Sequence, residues 1–448
     1  MEYTPNTPND RRLMLQRIGA KSFDELLRGI PKAVPRAALS VVPDGCSEPE
    51  LLRELAGLAN RNATTSTHAS FLGAGAYEHW VPSVVRYLAS RGEFLTAYTP
   101  YQAEASQGTL QAMYEFQTLI CELTGMDVAN ASLYDGATSM AEAALLALRE
   151  TERSRLVVAS TIHPESREVL RTYLKQTRVQ IVEIPACGGV TDLAAARAAI
   201  DGQTAGVIVQ TPNFFGCLEQ AEVLCGLARA AGALAIVVVN PIALGILKPP
   251  GEYGADIVVG EGQPLGIPLQ YGGPYLGLFA CREAYLRKVP GRIVGMTRDA
   301  QGRRGFTLTL QTREQHIRRS KATSNICTNE GMCAFAATVY LCALGKQGFR
   351  EVAEHNVAKA HYAQAQLTSI PGVTAWFPKT PFFNEFAVRL PCEGAALNER
   401  LLARGFLGGV DLGGFSREWP RTWLVSVTET KSKAEIDAFA AAVREVVG

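Results

Sequence analysis

The chain has 448 residues, enough for two or three cores, and its 47% apolar and 19% charged content is that of an ordinary globular protein. A net charge of +1 provides no global basic field, so neither nucleic acid nor a membrane is an expected partner. Ten cysteines contain no CxxC pair, and the histidines show no HxxxH or HExxH spacing. Metal binding and a disulfide framework are therefore not expected, and small apolar thiols in a reducing cytoplasm are; Cys121 and Cys342 lie in apolar runs.

The first sixty residues read as an arm of short helical pieces broken by Pro31, Pro35 and Pro43, with a helix over Leu51–Asn60. Another helix is expected over Gln107–Leu123, where Leu110, Met113, Tyr114, Gln117 and Cys121 share a face. From about Ala129 strands and helices alternate. A strand near Leu133 precedes helix Ser139–Arg149. Strand Arg155–Ala159, helix Glu165–Tyr173, strand Val179–Ile184, helix Leu193–Ile200 and strand Gly206–Gln210 follow. Helix Ala221–Ala231, strand Leu234–Val239, and strands near Ile257 and Leu276 complete the run. Ala230–Leu247 carries no charge but contains Gly232, Asn240, Pro241 and Gly245, which suits a buried strand and loop rather than a membrane helix. After Asn329 helices Glu330–Leu344 and Gln347–Leu367 lead to strands Val373–Trp376 and Asn384–Leu390. Helix Ala395–Ala403, strand Thr422–Val427 and helix Lys433–Val446 end the chain. The pattern predicts an α/β fold with a mostly parallel sheet covered on both faces. Residues 1–60 form an arm, 61–328 a large α/β domain and 329–448 a small C-terminal α+β domain.

Four constellations carry chemistry. Between a strand and a helix, Gly136, Ala137 and Thr138 offer a tight turn, a hydroxyl and free helix N–H groups; a phosphate fits there, and so does an ordinary helix cap. His163, after the strand ending at Ala159, is placed either to stack on a cofactor ring or as a polar turn residue. Tyr98, Tyr101 and Gln102 crowd one non-periodic segment, a ligand or partner contact or an ordinary surface loop. Arg292 to Lys321 is dense in arginine: a seat for a carboxylate, a phosphate or an acidic partner, or a solvated helix face paired with Asp299 and Glu314.

Six motifs in order give the chain a resemblance to a known family. They are SFLGAGAY (Ser70–Tyr77), TAYTPYQAEASQG (Thr96–Gly108), DVANASLYDGATSMAEA (Asp127–Ala143) and PPGEYGADIVVGEGQPLGIPLQYGGP (Pro249–Pro274). PGRIVGMTRDAQG (Pro290–Gly302) and LQTREQHIRRSKATSNICT (Leu310–Thr328) complete the set. The chain resembles, over nearly its whole length, the P-protein of the glycine cleavage system, a glycine dehydrogenase (decarboxylating). Its length matches the separate first, or alpha, subunit of the split bacterial form. The resemblance implies a fold-type-I pyridoxal-phosphate architecture. It also implies decarboxylation of glycine and transfer of the aminomethyl group to the lipoyl arm of H-protein, whose disulfide is reduced.

The sequence departs from the family's cofactor-bearing pattern at two places. There the strand after Gly-Ala-Asp leads to His-Lys-Thr; here Asp256 leads to Gln263, Pro264 and Leu265. Proline has no amine with which to bond the cofactor. The usual acid beside the pyridine nitrogen is replaced by Asn240. No catalytic residue is therefore expected in this chain, and Gly136, Ala137, Thr138, His163 and Asn240 form a vestigial cofactor site. Pyridoxal phosphate is expected on a partner beta subunit, in a cytoplasmic alpha2-beta2 assembly that works with lipoylated H-protein. Tyr98, Tyr101, Gln102, Arg318 and Asn325 are the residues expected to reach the substrate or the interface. Two rival readings are a self-sufficient lyase or aminotransferase using Lys248 and a non-catalytic scaffold. Lys321 lies beyond the alternating region.

Overall fold

The computed structural model describes residues 6–31, 33–34, 42–43, 45–270 and 272–448; the expected break at Pro35 and Tyr271 of the fourth motif lie outside them. The chain divides into two units, residues 1–62 and 63–448.

In the first unit, helices run over Pro8–Ile18, Phe23–Leu26 and Glu48–Ala59. Thr7 and Asp10 cap the first helix reciprocally, and Gly19 ends it in the left-handed conformation. Ser47 and Glu50 form the same box on the third, so that helix starts before the expected Leu51.

The second unit is built on a seven-stranded sheet. Its strands are β1 (Val128–Ala129), β2 (Arg155–Ala159), β3 (Gln180–Ile184), β4 (Thr204–Thr211), β5 (Leu234–Val239), β6 (Ile257–Glu261) and β7 (Gly277–Cys281), in spatial order β1-β7-β6-β5-β4-β2-β3. The five strands from β6 to β3 are parallel, whereas β7 runs antiparallel to both of its neighbours, β6 and β1. Side chains alternate across it. Val157, Val237 and Val258 pack on one face with α1 (Gln107–Thr124) and α5 (Ala221–Ala230). Leu156, Ile236 and Val259 pack on the other with α2 (Gly136–Thr151) and α3 (Pro164–Leu174). Both faces are covered, which is why these strands read as continuous apolar runs. The helix Leu193–Ala199, α4, precedes β4.

Four expectations need correction. Leu133 makes a single bridge to Gly277 and no strand. Helix α2 begins at Gly136, not Ser139, because Asp135 caps it by accepting from Thr138 N at 2.7 Å. The arginine-dense stretch is no continuous helix face. It forms an antiparallel hairpin, β8 (Ile293–Arg298) and β9 (Arg304–Thr309), followed by the one-turn helix Gln315–Arg318 between two 3-10 turns. Asp299, expected to pair with arginines of this stretch, meets Arg303 at 2.7 Å in that hairpin's turn. Cys342, placed by its apolar neighbours among the buried thiols, is exposed.

Helix α6 (Gly331–Thr368) breaks at Gly345, whose φ of 61° and ψ of −178° no helix accommodates and glycine adopts without steric cost. The expected boundary at 328/329 lies at its foot. Its first half buries Ala337 and Tyr340 in the large sheet's core, and its second half buries Ala360 and Leu367 against a four-stranded antiparallel sheet. That sheet contains β10 (Thr374–Ala375), β11 (Glu385–Arg389), β12 (Val410–Asp411) and β13 (Thr422–Ser426), in order β10-β11-β13-β12. Helices α7 (Gly394–Leu402) and α8 (Lys433–Val447) contribute Leu397, Phe439 and Val443 to its core.

Candidate functional site

A cavity of about 370 Å³ opens at the C-terminal ends of the parallel strands, where ligands settle in folds of this topology. Its walls come from strand ends and the loops that follow them: Gly136 and Ala137, His163, Gln210, Asn240, Glu261 and Pro264, closed by Ala74–Tyr77 and by Glu385. The structure thus brings five of the six residues singled out here, Gly136, Ala137, His163, Asn240 and Pro264, to one place. Thr138 does not line the cavity; its N–H and hydroxyl serve the cap with Asp135.

The electrostatics of the cavity are set by acids. Asp135, Glu165, Glu261 and Glu385 line it, and among the described residues no lysine or arginine does. Glu261 Oε2 accepts from Gly136 N at 2.9 Å, and Oε1 accepts from Leu276 N at 2.9 Å and Gln263 N at 3.0 Å. Burial nevertheless pushes its carboxyl up to about 7. Glu385, 2% exposed, accepts from Ala74 N at 2.6 Å and from the Tyr77 hydroxyl at 2.9 Å; burial raises it to about 7 as well. His163 is held low by burial. Its Nδ1 accepts from Glu165 N at 3.2 Å, which leaves Nε2 to donate to Ala74 O at 2.9 Å. Phe214 and Phe415 meet the ring edge-on. Asn240 Oδ1 accepts from Ile242 N, while its amide nitrogen is buried without a partner among the described residues.

Three residues of this site escaped the sequence reading. Gln263, next to Pro264, exchanges both amide groups with the Tyr77 backbone at 3.1 Å and so ties the SFLGAGAY loop down. Glu261 and Glu385 were hidden as acids at the end or the start of apolar strands. An acid in such a place was the available signal, since a buried carboxylate requires donors.

The other candidates lie apart from this cavity. Tyr98 is 87% exposed and lines a second cavity of about 280 Å³ with Phe94, Met113, Asn329 and Phe335. Tyr101 lies over the Arg292 guanidinium at 5.7 Å and edge-on to His316 at 5.6 Å. Gln102, Arg318 and Asn325 are exposed, and the Asn325 carbonyl accepts from Gln315. Arg292, only 3% exposed, donates to Thr328 Oγ1, Asn329 Oδ1 and Cys327 O, and Arg313 donates to the carbonyls of Val289, Leu310 and Gly291. Those two arginines thus brace the fold and leave the outer ones, such as Arg298, Arg304 and Arg318, in solvent. Lys248 pairs with Glu222 at 3.4 Å in a different pocket beside Tyr253. Lys321 sits on an exposed turn.

The model of the glycine cleavage system P-protein matches residues 1–443. The chain belongs to that family. A probable glycine dehydrogenase (decarboxylating) subunit 1 from Desulfitobacterium hafniense is 52% identical over 446 residues, covering all of both chains. A crystal structure of a glycine decarboxylase (P-protein) of the glycine cleavage system, in inhibitor-bound form, superposes with a TM-score of 0.92 at 47% identity, again over all of both chains. A glutamate decarboxylase from Lactobacillus brevis superposes with a TM-score of 0.68 over 92% of this chain and 95% of its own, at 11% identity, and shows the fold alone. The architecture is that of the fold-type-I pyridoxal-phosphate enzymes. Among the described residues no helix is long and apolar enough to cross a membrane, and no group of three or more metal-ligating side chains gathers.

Proposed function

We propose that this P-protein chain is the alpha subunit of a split glycine dehydrogenase (decarboxylating), and that the cofactor and its lysine reside on a beta subunit. Relatives named subunit 1 support the existence of a partner. In this reading the pair decarboxylates glycine and passes the aminomethyl group to the lipoyl arm of H-protein, in a cytoplasmic alpha2-beta2 assembly. The alpha chain contributes walls and contacts through Tyr98, Tyr101, Gln102, Arg318 and Asn325.

One observation carries the assignment: the cavity where the fold would seat pyridoxal phosphate is lined by Pro264 and, among the described residues, by neither lysine nor arginine. Pyridoxal phosphate chemistry needs an amine to anchor it and a cation or free N–H groups for its phosphate. The residues present do not fit it. Glu261 takes the Gly136 N–H, Asn240 cannot act as an ionised acid, and four carboxylates face the space. The Lys248 reading is disfavoured by that lysine's location in another pocket.

The test is an absorbance spectrum of the chain with added pyridoxal phosphate, alone and mixed with a candidate beta subunit, followed by borohydride reduction and peptide mapping. No labelled lysine in this chain, with glycine-dependent CO2 exchange in the mixture, is the expected result. A labelled peptide from this chain overturns the assignment.

A further inference from the structure

The seat at the start of α2 is already filled by an anion from the chain itself. Three backbone N–H groups, from Gly136, Gln263 and Leu276, converge on the Glu261 carboxylate at 2.9–3.0 Å. The first turn of the helix is pressed onto the end of β6. A Cβ at position 136 would lie 2.8 Å from Glu261 N, so glycine is what permits the approach. A second N–H of that turn, from Thr138, goes to the Asp135 carboxylate. A helix N-terminus attracts anions through these free N–H groups and the helix dipole. Here two side-chain carboxylates use both.

We propose that Glu261 is the residue that bars phosphate-bearing ligands from this chain, its carboxylate serving as a built-in substitute for a phosphate monoester. The proposal rests on the reading that the cofactor belongs to the partner, and it adds the group responsible. The missing lysine removes the covalent anchor but leaves a pocket that a phosphate could still enter. Glu261 closes that route, because an incoming phosphate must displace a carboxylate from three donors. It must then sit among Asp135 and Glu165 with no lysine or arginine among the described residues of the cavity wall to balance it. Gln263 and Leu276 flank this arrangement, so the same carboxylate also pins the loop that carries Pro264 to the residue leading into the neighbouring strand β7.

The experiment is thermal melting of the full chain at pH 8, with inorganic phosphate exchanged for chloride at constant ionic strength, in the wild type and in Glu261→Gly. The wild-type melting temperature is expected to ignore phosphate. Glu261→Gly is expected to melt lower in chloride and to regain several degrees in phosphate, since a ligand that binds only the folded state stabilises it. A folded variant with no phosphate response, or a wild type that responds as strongly, overturns the proposal. Should Glu261→Gly fold in neither salt, Glu261→Gln decides by equilibrium dialysis against radiolabelled phosphate. Binding at least tenfold tighter than in the wild type supports the proposal, and equal binding overturns it. The parent reading fails separately: a borohydride-labelled lysine in the wild-type chain would sink it, whereas an unlabelled wild type with a phosphate-blind variant sinks only the role of Glu261.

Discussion

At Glu261 the polar groups face inward and satisfy one another, whereas around Tyr98 and Tyr101 aromatic rings stand 87% and 51% exposed in front of a buried arginine. The first region has the position of an active site and the chemistry of a plug. The second has no place in the fold's usual ligand crevice, yet it holds large apolar side chains in solvent, which folded chains rarely do in clusters without a partner to cover them. Position within a fold and chemical capacity have separated here, and only the side chains reveal it.

The sharpest way to break this comparison is to remove the support behind the exposed region. Arg292 donates to Thr328, Asn329 and Cys327 and lies 3.8 Å from Glu314, itself 7% exposed. Arg292→Ala leaves a buried carboxylate without that cation and three acceptors without their donor. A loss of about 3–5 kcal/mol is expected in denaturant unfolding. A loss below about 1 kcal/mol would mean that the arginine does not hold the 327–329 segment in place.

The plug makes its own prediction through pH. Glu385 sits near 7 in the fold against 4.5 for the free side chain. The folded state therefore binds this proton more tightly than the unfolded state. The stability it contributes is present below about pH 4.5 and is lost as pH rises toward 7, by about 3 kcal/mol. His163 works in the opposite direction: its folded value lies below 6.5, so its contribution is lost as pH falls below 6.5. Glu385→Gln should flatten the change in unfolding free energy between pH 5 and pH 8 by up to that amount. An unchanged slope would show that Glu385 stays ionised in the fold.

Much of this fold was legible because apolar strands and amphipathic helices have different periods, and the alternation from Arg155 to Val239 follows them. Even the interruption of the long helix was visible, since Gly345 and its neighbours separate two apolar-periodic stretches. The hairpin Ile293–Thr309 was not, because its arginines dominate the composition while Val294, Phe306 and Leu308 supply the buried face. In the cavity, Pro264 and Asn240 were singled out through the resemblance. The polar partners could not be. Glu261, Gln263 and Glu385 act through contacts across 125, 186 and 311 residues of sequence, and no local pattern encodes such pairings.

The exposed region can be sharpened by Tyr98→Ala. The ring is so accessible that the stability of the chain alone should change by less than about 0.5 kcal/mol. In the proposed assembly the same ring is covered, and truncating a buried aromatic anchor typically costs about 2 kcal/mol or more of binding. Titration calorimetry with the beta subunit should show at least about thirtyfold weaker association. Equal affinity would remove Tyr98 from the interface and leave its exposure unexplained.

The smallest expected effect is the most pointed. Lys248 is the lysine on which a self-sufficient enzyme would depend, and its side chain is about half exposed, paired with Glu222 at 3.4 Å. Surface pairs of this kind contribute about 0–1 kcal/mol. Lys248→Ala should therefore leave the melting temperature within a degree or two and glycine decarboxylation by the mixed subunits unchanged. A collapse of activity in a folded Lys248→Ala chain would place the amine chemistry here after all. The cavity at Pro264 would then be a true vestige beside a working site that the fold gives no reason to expect.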